Sequence, residues 1–185
     1  MITLGVRRSP STGTEVMIIR QERQGDVERI RDVNLAAFET STEADLVDAL
    51  RREATPLISV VAEDDADVIG HILFSPVTLA SEPGLTLMGL APMAVVPSKQ
   101  RQGVGAALVR EGLERCRELN VAAVVVLGHP QYYPRFGFVP AIRLSLRSEY
   151  DAPDDAFMVR ELRDGALRGL LGTIRYHPVF GDLRL

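Results

Sequence analysis

The chain has 185 residues, enough for one domain core and too few for two, and its 46% apolar and 25% charged residues match an ordinary folded domain rather than a disordered or membrane-spanning one. The 21 basic residues are scattered among 25 acidic ones for a net charge of -4, so no field is set up to hold a nucleic-acid backbone, and neither nucleic acid nor a membrane is expected as a partner. The lone cysteine, Cys116, excludes an intramolecular disulfide and a multi-cysteine zinc site, and three dispersed histidines offer no metal-ligand spacing, so a cytoplasmic protein without a metal is expected.

Residues 1–14 carry Gly, Pro, Ser and Thr without periodicity and read as a flexible N-terminal tail, which leaves 15–185 as a single domain. No apolar run follows a basic start, and none reaches the length of about 20 residues that a spanning helix needs. A strand is expected over Glu15 to Arg20. Asp26 then reads as the N-cap of a helix carrying Val27, Ile30, Val33, Leu35, Ala37 and Phe38, and Thr42 as the N-cap of a second helix that ends before Pro56. Three strand-like runs follow, Leu57 to Glu63, Val68 to Leu79 and Leu85 to Val96, separated by polar turns, which predicts an antiparallel meander.

The pattern switches to a helix from about Gly103 to Leu119, with Val104, Leu108, Gly112, Cys116 and Leu119 on one face, and then to the uniformly apolar strand Val121 to Leu127. Strand, crossover helix and strand make a right-handed βαβ unit whose two strands are parallel neighbours, so the sheet is mixed. Further strands are expected over Phe157 to Leu162 and Gly172 to Tyr176.

The junction before the crossover helix, Gln100-Arg101-Gln102-Gly103-Val104-Gly105-Ala106, has the chemistry of an anion site. Glycines let a ligand approach the backbone, and the first amides of a helix point outward with the positive end of its dipole behind them. Taken alone, the same loop reads equally well as a helix start whose glycines serve packing. It carries neither G-K-[ST] nor G-x-G-x-x-G, which excludes the two common nucleotide-binding loops.

Gln100, Gly103 and Gly105 fit the Q/R-x-x-G-x-G/A signature of the GNAT superfamily of N-acetyltransferases. Tyr133 stands five residues ahead of Phe138 in the Gly137-Phe138 pair, a second match to that superfamily. With Pro92-Met93-Ala94-Val95 and the runs EYDAPDDAFMVREL and GTIRYHPVF, the chain resembles the YhbS-like branch over nearly everything after residue 15.

The resemblance implies an α/β (α+β) fold with a mixed, mostly antiparallel central sheet, one splayed parallel strand pair and flanking helices. It implies an N-acetyltransferase that moves acetyl from acetyl-CoA to a primary amine of a small molecule or peptide. The backbone of Met93, Ala94 and Val95 is then expected to pair with pantetheine, the loop Gln102, Gly103, Val104, Gly105 and Ala106 to hold the diphosphate, and Arg101 to reach a phosphate or solvent. Pro92, which has no N–H, is expected at a bulge or an unpaired position.

Tyr133 is expected as the general acid, since a phenol is protonated at neutral pH, and Tyr132 as packing or substrate wall. The strand before the loop carries no carboxylate, where many superfamily members place a glutamate. That leaves His71, His129, Glu43 and Glu53 as candidate bases, His129 ahead of the others. It also leaves a second reading, an acyl-CoA-binding sensor or interaction module with little turnover. Monomer and homodimer both remain open. The acidic run Glu149, Asp151, Asp154 and Asp155 reads first as a solvated loop, as charge runs usually are, and second as a rim that attracts a cationic acceptor.

Overall fold

The computed structural model describes residues 17–182. The expected tail over 1–14, and Glu15 and Val16 of the first expected strand, lie outside the described residues.

The apolar runs of the first half pair along most of their length, because short polar turns return the chain in register. β1 (Ile18–Gln21), β2 (Ile58–Asp64), β3 (Asp67–Leu79) and β4 (Leu87–Val95) lie side by side as the expected antiparallel meander. Asp65 and Ala66, between the paired Asp64 and Asp67, both have positive φ, the two-residue turn whose twist suits a hairpin.

Helix α3 (Val104–Glu118) then crosses to β5 (Ala123–Leu127), which runs parallel to β4. β8 (Phe157–Glu161) and β6 (Val139–Pro140) extend the sheet beyond β5. The fold is therefore the expected mixed sheet with a single β4–β5 parallel pair within its main path.

Side chains alternate between the faces of a strand, and each face has its own helical cover. α1 (Val27–Ala37) and α2 (Thr42–Glu53) bury Ile30, Val33, Leu46 and Leu50 against Leu73, Val77, Ala94 and Val125. On the other face α3 buries Val104, Leu108, Leu113 and Cys116 against Ile72, Phe74, Met88 and Val124. Sealed in this layer, the Cys116 thiol is pushed up to about 12 by burial and is packing, as expected.

The helix starts show where local expectations held and where they need correction. Asp26 stands at the N-cap of α1 as expected but makes no side-chain cap bond, because its buried carboxylate accepts the Arg23 N–H at 2.7 Å and pairs with Arg20 at 2.6 Å. Ser41, not Thr42, stands at the N-cap of α2. Leu35 and Leu119 are 42% and 52% exposed and leave the apolar faces assigned to them. The sequence reading also missed β7 (Leu146–Ser148), which pairs in parallel with β9 (Gly172–Arg175), itself joined to the end of β3; α4 (Val179–Asp182) closes the described chain. None of the described helices is long and apolar enough to cross a membrane.

Candidate active site

Pairing between β4 and β5 stops after Gly89↔Val125, although β4 continues to Val95 and β5 to Leu127. The cause is visible in β4. Between the pairs Phe74↔Leu90 and Ile72↔Met93, two residues, Ala91 and Pro92, face the single Leu73 of β3. This is a bulge, which bends β4 away from β5, and Pro92 occupies it as expected because the position asks for no N–H.

Beyond the bulge the backbone is sorted by strand alternation. Val96 donates its N–H to the Ile69 carbonyl at 3.0 Å, so Ala94, opposite His71, also turns its amide toward β3. Met93 and Val95 present theirs to the side that β5 has left. Of the three residues expected to pair with pantetheine, Ala94 is thus the one whose amide faces the wrong edge; its side chain is buried on the α1 face.

The opening is a cleft of about 740 Å³ on the α3 side of the sheet. Met93 and Val95 form its β4 wall, Arg101, Gly103, Gly105 and Ala106 the helix end, and His129, Tyr132 and Tyr133 the β5 side. Gly103 has φ +92, a conformation natural to glycine, and the space where a Cβ would stand is open. It sits at the N-cap of α3 with no side chain capping the first turn, so the first amides of a 15-residue helix are left to the cleft. Gln102 and Val104 do not line it by side chain: the Gln102 amide folds back onto the Ser98 carbonyl at 2.8 Å, and Val104 is buried beneath the helix. Gln100 donates to the Val95 carbonyl at 3.0 Å, tying the loop to the strand.

Tyr133 starts a tight turn (Tyr133–Phe136) just after β5 and is 7% exposed. Its ring packs edge-on to Tyr132 and Phe138, with centroids 5.1 and 5.6 Å apart, and so close to Gly128 that an added Cβ there would lie 2.5 Å from it. Its hydroxyl makes no hydrogen bond to any described residue. Burial, and secondarily Tyr132, raises the phenol above its ordinary range, so the proton stays on at neutral pH. Tyr132 reaches across the cleft, its hydroxyl 3.0 Å from where a Gly105 Cβ would stand, under the Arg135 guanidinium at 4.7 Å. Sequence reasoning left Tyr132 a subordinate role and missed Arg135, whose exposed position among apolar neighbours gave no signal.

The cleft contains no carboxylate among its lining residues. His129 is exposed at its rim. His71 is fully buried in the α1-facing layer, beside Asn34 at 3.4 Å and Ser59 at 2.9 Å, and burial with the nearby Arg51 pulls it down to about 3, so it is neutral, and it is not among the residues lining the cleft. Glu43 and Glu53 lie on α2, outside the cleft lining.

A separate pocket of about 310 Å³ collects Glu149, Asp151 and Asp154, with Arg147 as its one basic residue, beside Tyr150 and Phe157, while Asp155 is not part of it. Phe157 pairs with Leu127, the last residue of β5, so this pocket meets the splayed strand end from the α1 and α2 side. Among the described residues no group of three or more His, Cys, Asp or Glu could hold a metal ion.

Comparison with known proteins matches this geometry. A family model described as acetyltransferase (GNAT) domain fits residues 18–141. The uncharacterized N-acetyltransferase YhbS of Escherichia coli is 41% identical over 165 residues, 89% of this chain and 98% of that protein. A crystal structure of Escherichia coli YhbS in complex with CoA superposes with a TM-score of 0.86 at 38% identity, covering 94% of this chain and 96% of the other. A GNAT family acetyltransferase from Brucella melitensis in complex with acetyl-CoA gives 0.73 at 35% identity, covering 90% and 99%. Fold, parallel strand pair, glycine loop and sequence identity all lead to one assignment: the chain belongs to the GNAT family of N-acetyltransferases.

Proposed function

We propose that the chain uses acetyl-CoA, an activated thioester, to acetylate a primary amine of a small molecule or peptide by direct attack, with no covalent enzyme intermediate. The single observation that carries this reading is the convergence, in one cleft, of an unpaired strand edge, an uncapped helix start and the Tyr133 hydroxyl. These groups fit a ligand with amides at one end and phosphates at the other. The N–H groups of Met93 and Val95 pair with the pantetheine amides as an added strand would, and the amides of the Gln102 to Ala106 loop hold the diphosphate.

The strand opens at the Ala91-Pro92 bulge, so a cleft-facing amide of β4 near Val95 is placed to polarise the thioester carbonyl. The amine nitrogen then bonds to the carbonyl carbon as the C–S bond breaks, and Tyr133 gives its proton to the departing sulfur. His129 at the rim accepts the amine's proton through water. Positioning and carbonyl polarisation supply several kcal/mol each, which is why the lack of a carboxylate in the cleft is compatible with turnover. That lack is also what would favour the second reading, a sensor that binds acyl-CoA with little turnover.

The acceptor is a cationic amine that enters from the acidic pocket of Glu149, Asp151 and Asp154. Calorimetric titration tests the cofactor site: Gly103→Val puts a β-branched residue at φ +92, and acetyl-CoA affinity should fall about tenfold or more. Unchanged affinity would move the site elsewhere.

A further inference from the structure

Beside the cleft, a second groove of about 470 Å³ runs between α3 and the turn that carries Tyr133. Four arginines line it, Arg110 and Arg117 from α3, Arg135 from the turn and Arg160 from β8, against one carboxylate, Glu114. Glu114 already accepts from Arg117 at 2.9 Å. Arg110, Arg135 and Arg160 have no carboxylate partner among the described residues, whereas Arg20, Arg31, Arg51 and Arg115 are each paired with acids.

The three unpaired guanidiniums are held around one aromatic turn. Arg110 lies over the Phe136 ring at 5.7 Å, Arg135 over Tyr132 at 4.7 Å, and Arg160 donates to the Phe136 carbonyl. Gathering like charges in a chain of net charge -4 is unfavourable by itself. Burial and the neighbouring Arg117 disfavour the charged form of Arg160 and Glu114 offsets them only in part, which leaves a strain that an anion in the groove would relieve.

Arg135 also lines the cofactor cleft, so the two grooves meet at that residue. Along the axis of α3, Arg110 lies about 7.5 Å beyond Gly105 at 1.5 Å per residue, on the scale of the single ribose that joins the diphosphate of CoA to its 3′-phosphate. We infer that this arginine groove binds the phosphate monoester at the adenosine end of the cofactor, with Arg110 and Arg160 as the recognising groups and Arg135 at the junction. The inference rests on the reading of the neighbouring cleft as the acetyl-CoA site. A phosphate monoester carries close to two negative charges at neutral pH and presents three acceptor oxygens, which match the fork of a guanidinium.

The test is calorimetric titration with CoA and with dephospho-CoA, which lacks only the 3′-phosphate. The wild-type chain should prefer CoA by about tenfold or more, the size of one charge-assisted contact. Arg110→Gln, an exposed substitution whose folding is checked by its melting temperature, should lower CoA affinity about five- to tenfold and leave dephospho-CoA affinity unchanged. Arg110→Lys, which keeps the charge and loses the fork, should recover part of the loss.

Equal affinity of the wild type for the two nucleotides, or equal losses for both in Arg110→Gln, overturns the assignment. Inorganic phosphate titrated alone distinguishes a second source of the same chemistry. If Arg110→Gln weakens phosphate binding while CoA and dephospho-CoA bind alike, the groove is an independent anion site and the assignment is wrong. A wild-type chain that binds neither nucleotide overturns the reading of the cleft itself, and this inference with it.

Discussion

A phenol can serve as an acid only if it keeps its proton and faces the atom that needs it. Tyr133 keeps its proton through burial, which raises its pKa, and it lines the cleft after β5, where the proposed transfer would take place. Because the folded-state pKa lies above the ordinary value of about 10, the protonated form persists as pH rises, so the rate constant for turnover should show no loss between pH 8 and about 10. An alkaline fall with an apparent pKa well below 10 would remove Tyr133 as the titrating acid. The place of Tyr133 on the cleft wall was legible in the sequence because it sits at a fixed offset from Gly137 and Phe138. Tyr132, one residue before it, carries no such register, and its reach to Gly105 depends on the path of the turn. Pro92 was legible for a simpler reason: a residue without an N–H inside a strand has to sit where the ladder is broken.

At the scale of elements, the crossover unit was readable because its period changes from strand to helix to strand, and chirality leaves one arrangement for it. Its closeness to the sheet was not. A Cβ added to Gly112 would stand 2.2 Å from the Phe74 ring, so α3 packs on β3 through bare backbone. Gly112→Ala should therefore lower stability by about 1–3 kcal/mol despite alanine's better helix propensity, and denaturant unfolding measures it. A gain in stability would show that the helix can move outward without loss. β7 escaped the sequence reading because three residues carry no period, and its partner β9 follows it only after the intervening β8. The helix starts were legible to within one residue, but their capping bonds were not. Asp26 has a capping side chain, but Arg20 and the Arg23 amide compete for it and win.

At the scale of the whole molecule, two charged hollows flank the splayed strands. Arginines gather in one, and Glu149, Asp151 and Asp154 line the other. Asp151→Asn combined with Asp154→Asn should raise KM for a cationic acceptor a few-fold at low salt, and the difference should shrink as salt rises. Unchanged KM at every ionic strength would make the pocket a solvated loop.

The α1-facing layer also holds a buried titrating group. His71 is held at about 3, against about 6.5 in the unfolded chain, so the unfolded state binds the extra proton between those values. Its contribution to stability is full above pH 6.5 and is lost as pH falls toward 3, at up to about 1.4 kcal/mol per pH unit. Melting temperatures from pH 7.5 down to 4.5 should fall, and His71→Asn, even if less stable throughout, should show a shallower slope. An identical slope would place the titrating group elsewhere.

The central claim, that this cleft transfers an acetyl group with Tyr133 as the acid, is tested most directly by thiol release from acetyl-CoA in the presence of an accepted amine. Tyr133→Phe should lower kcat about 100- to 10,000-fold while acetyl-CoA affinity stays near that of the wild type, and Tyr132→Phe should change kcat far less. Equal and small effects of the two substitutions, or a wild-type chain that binds acetyl-CoA tightly and releases no thiol with any amine, would contradict the account and leave a binding module in its place.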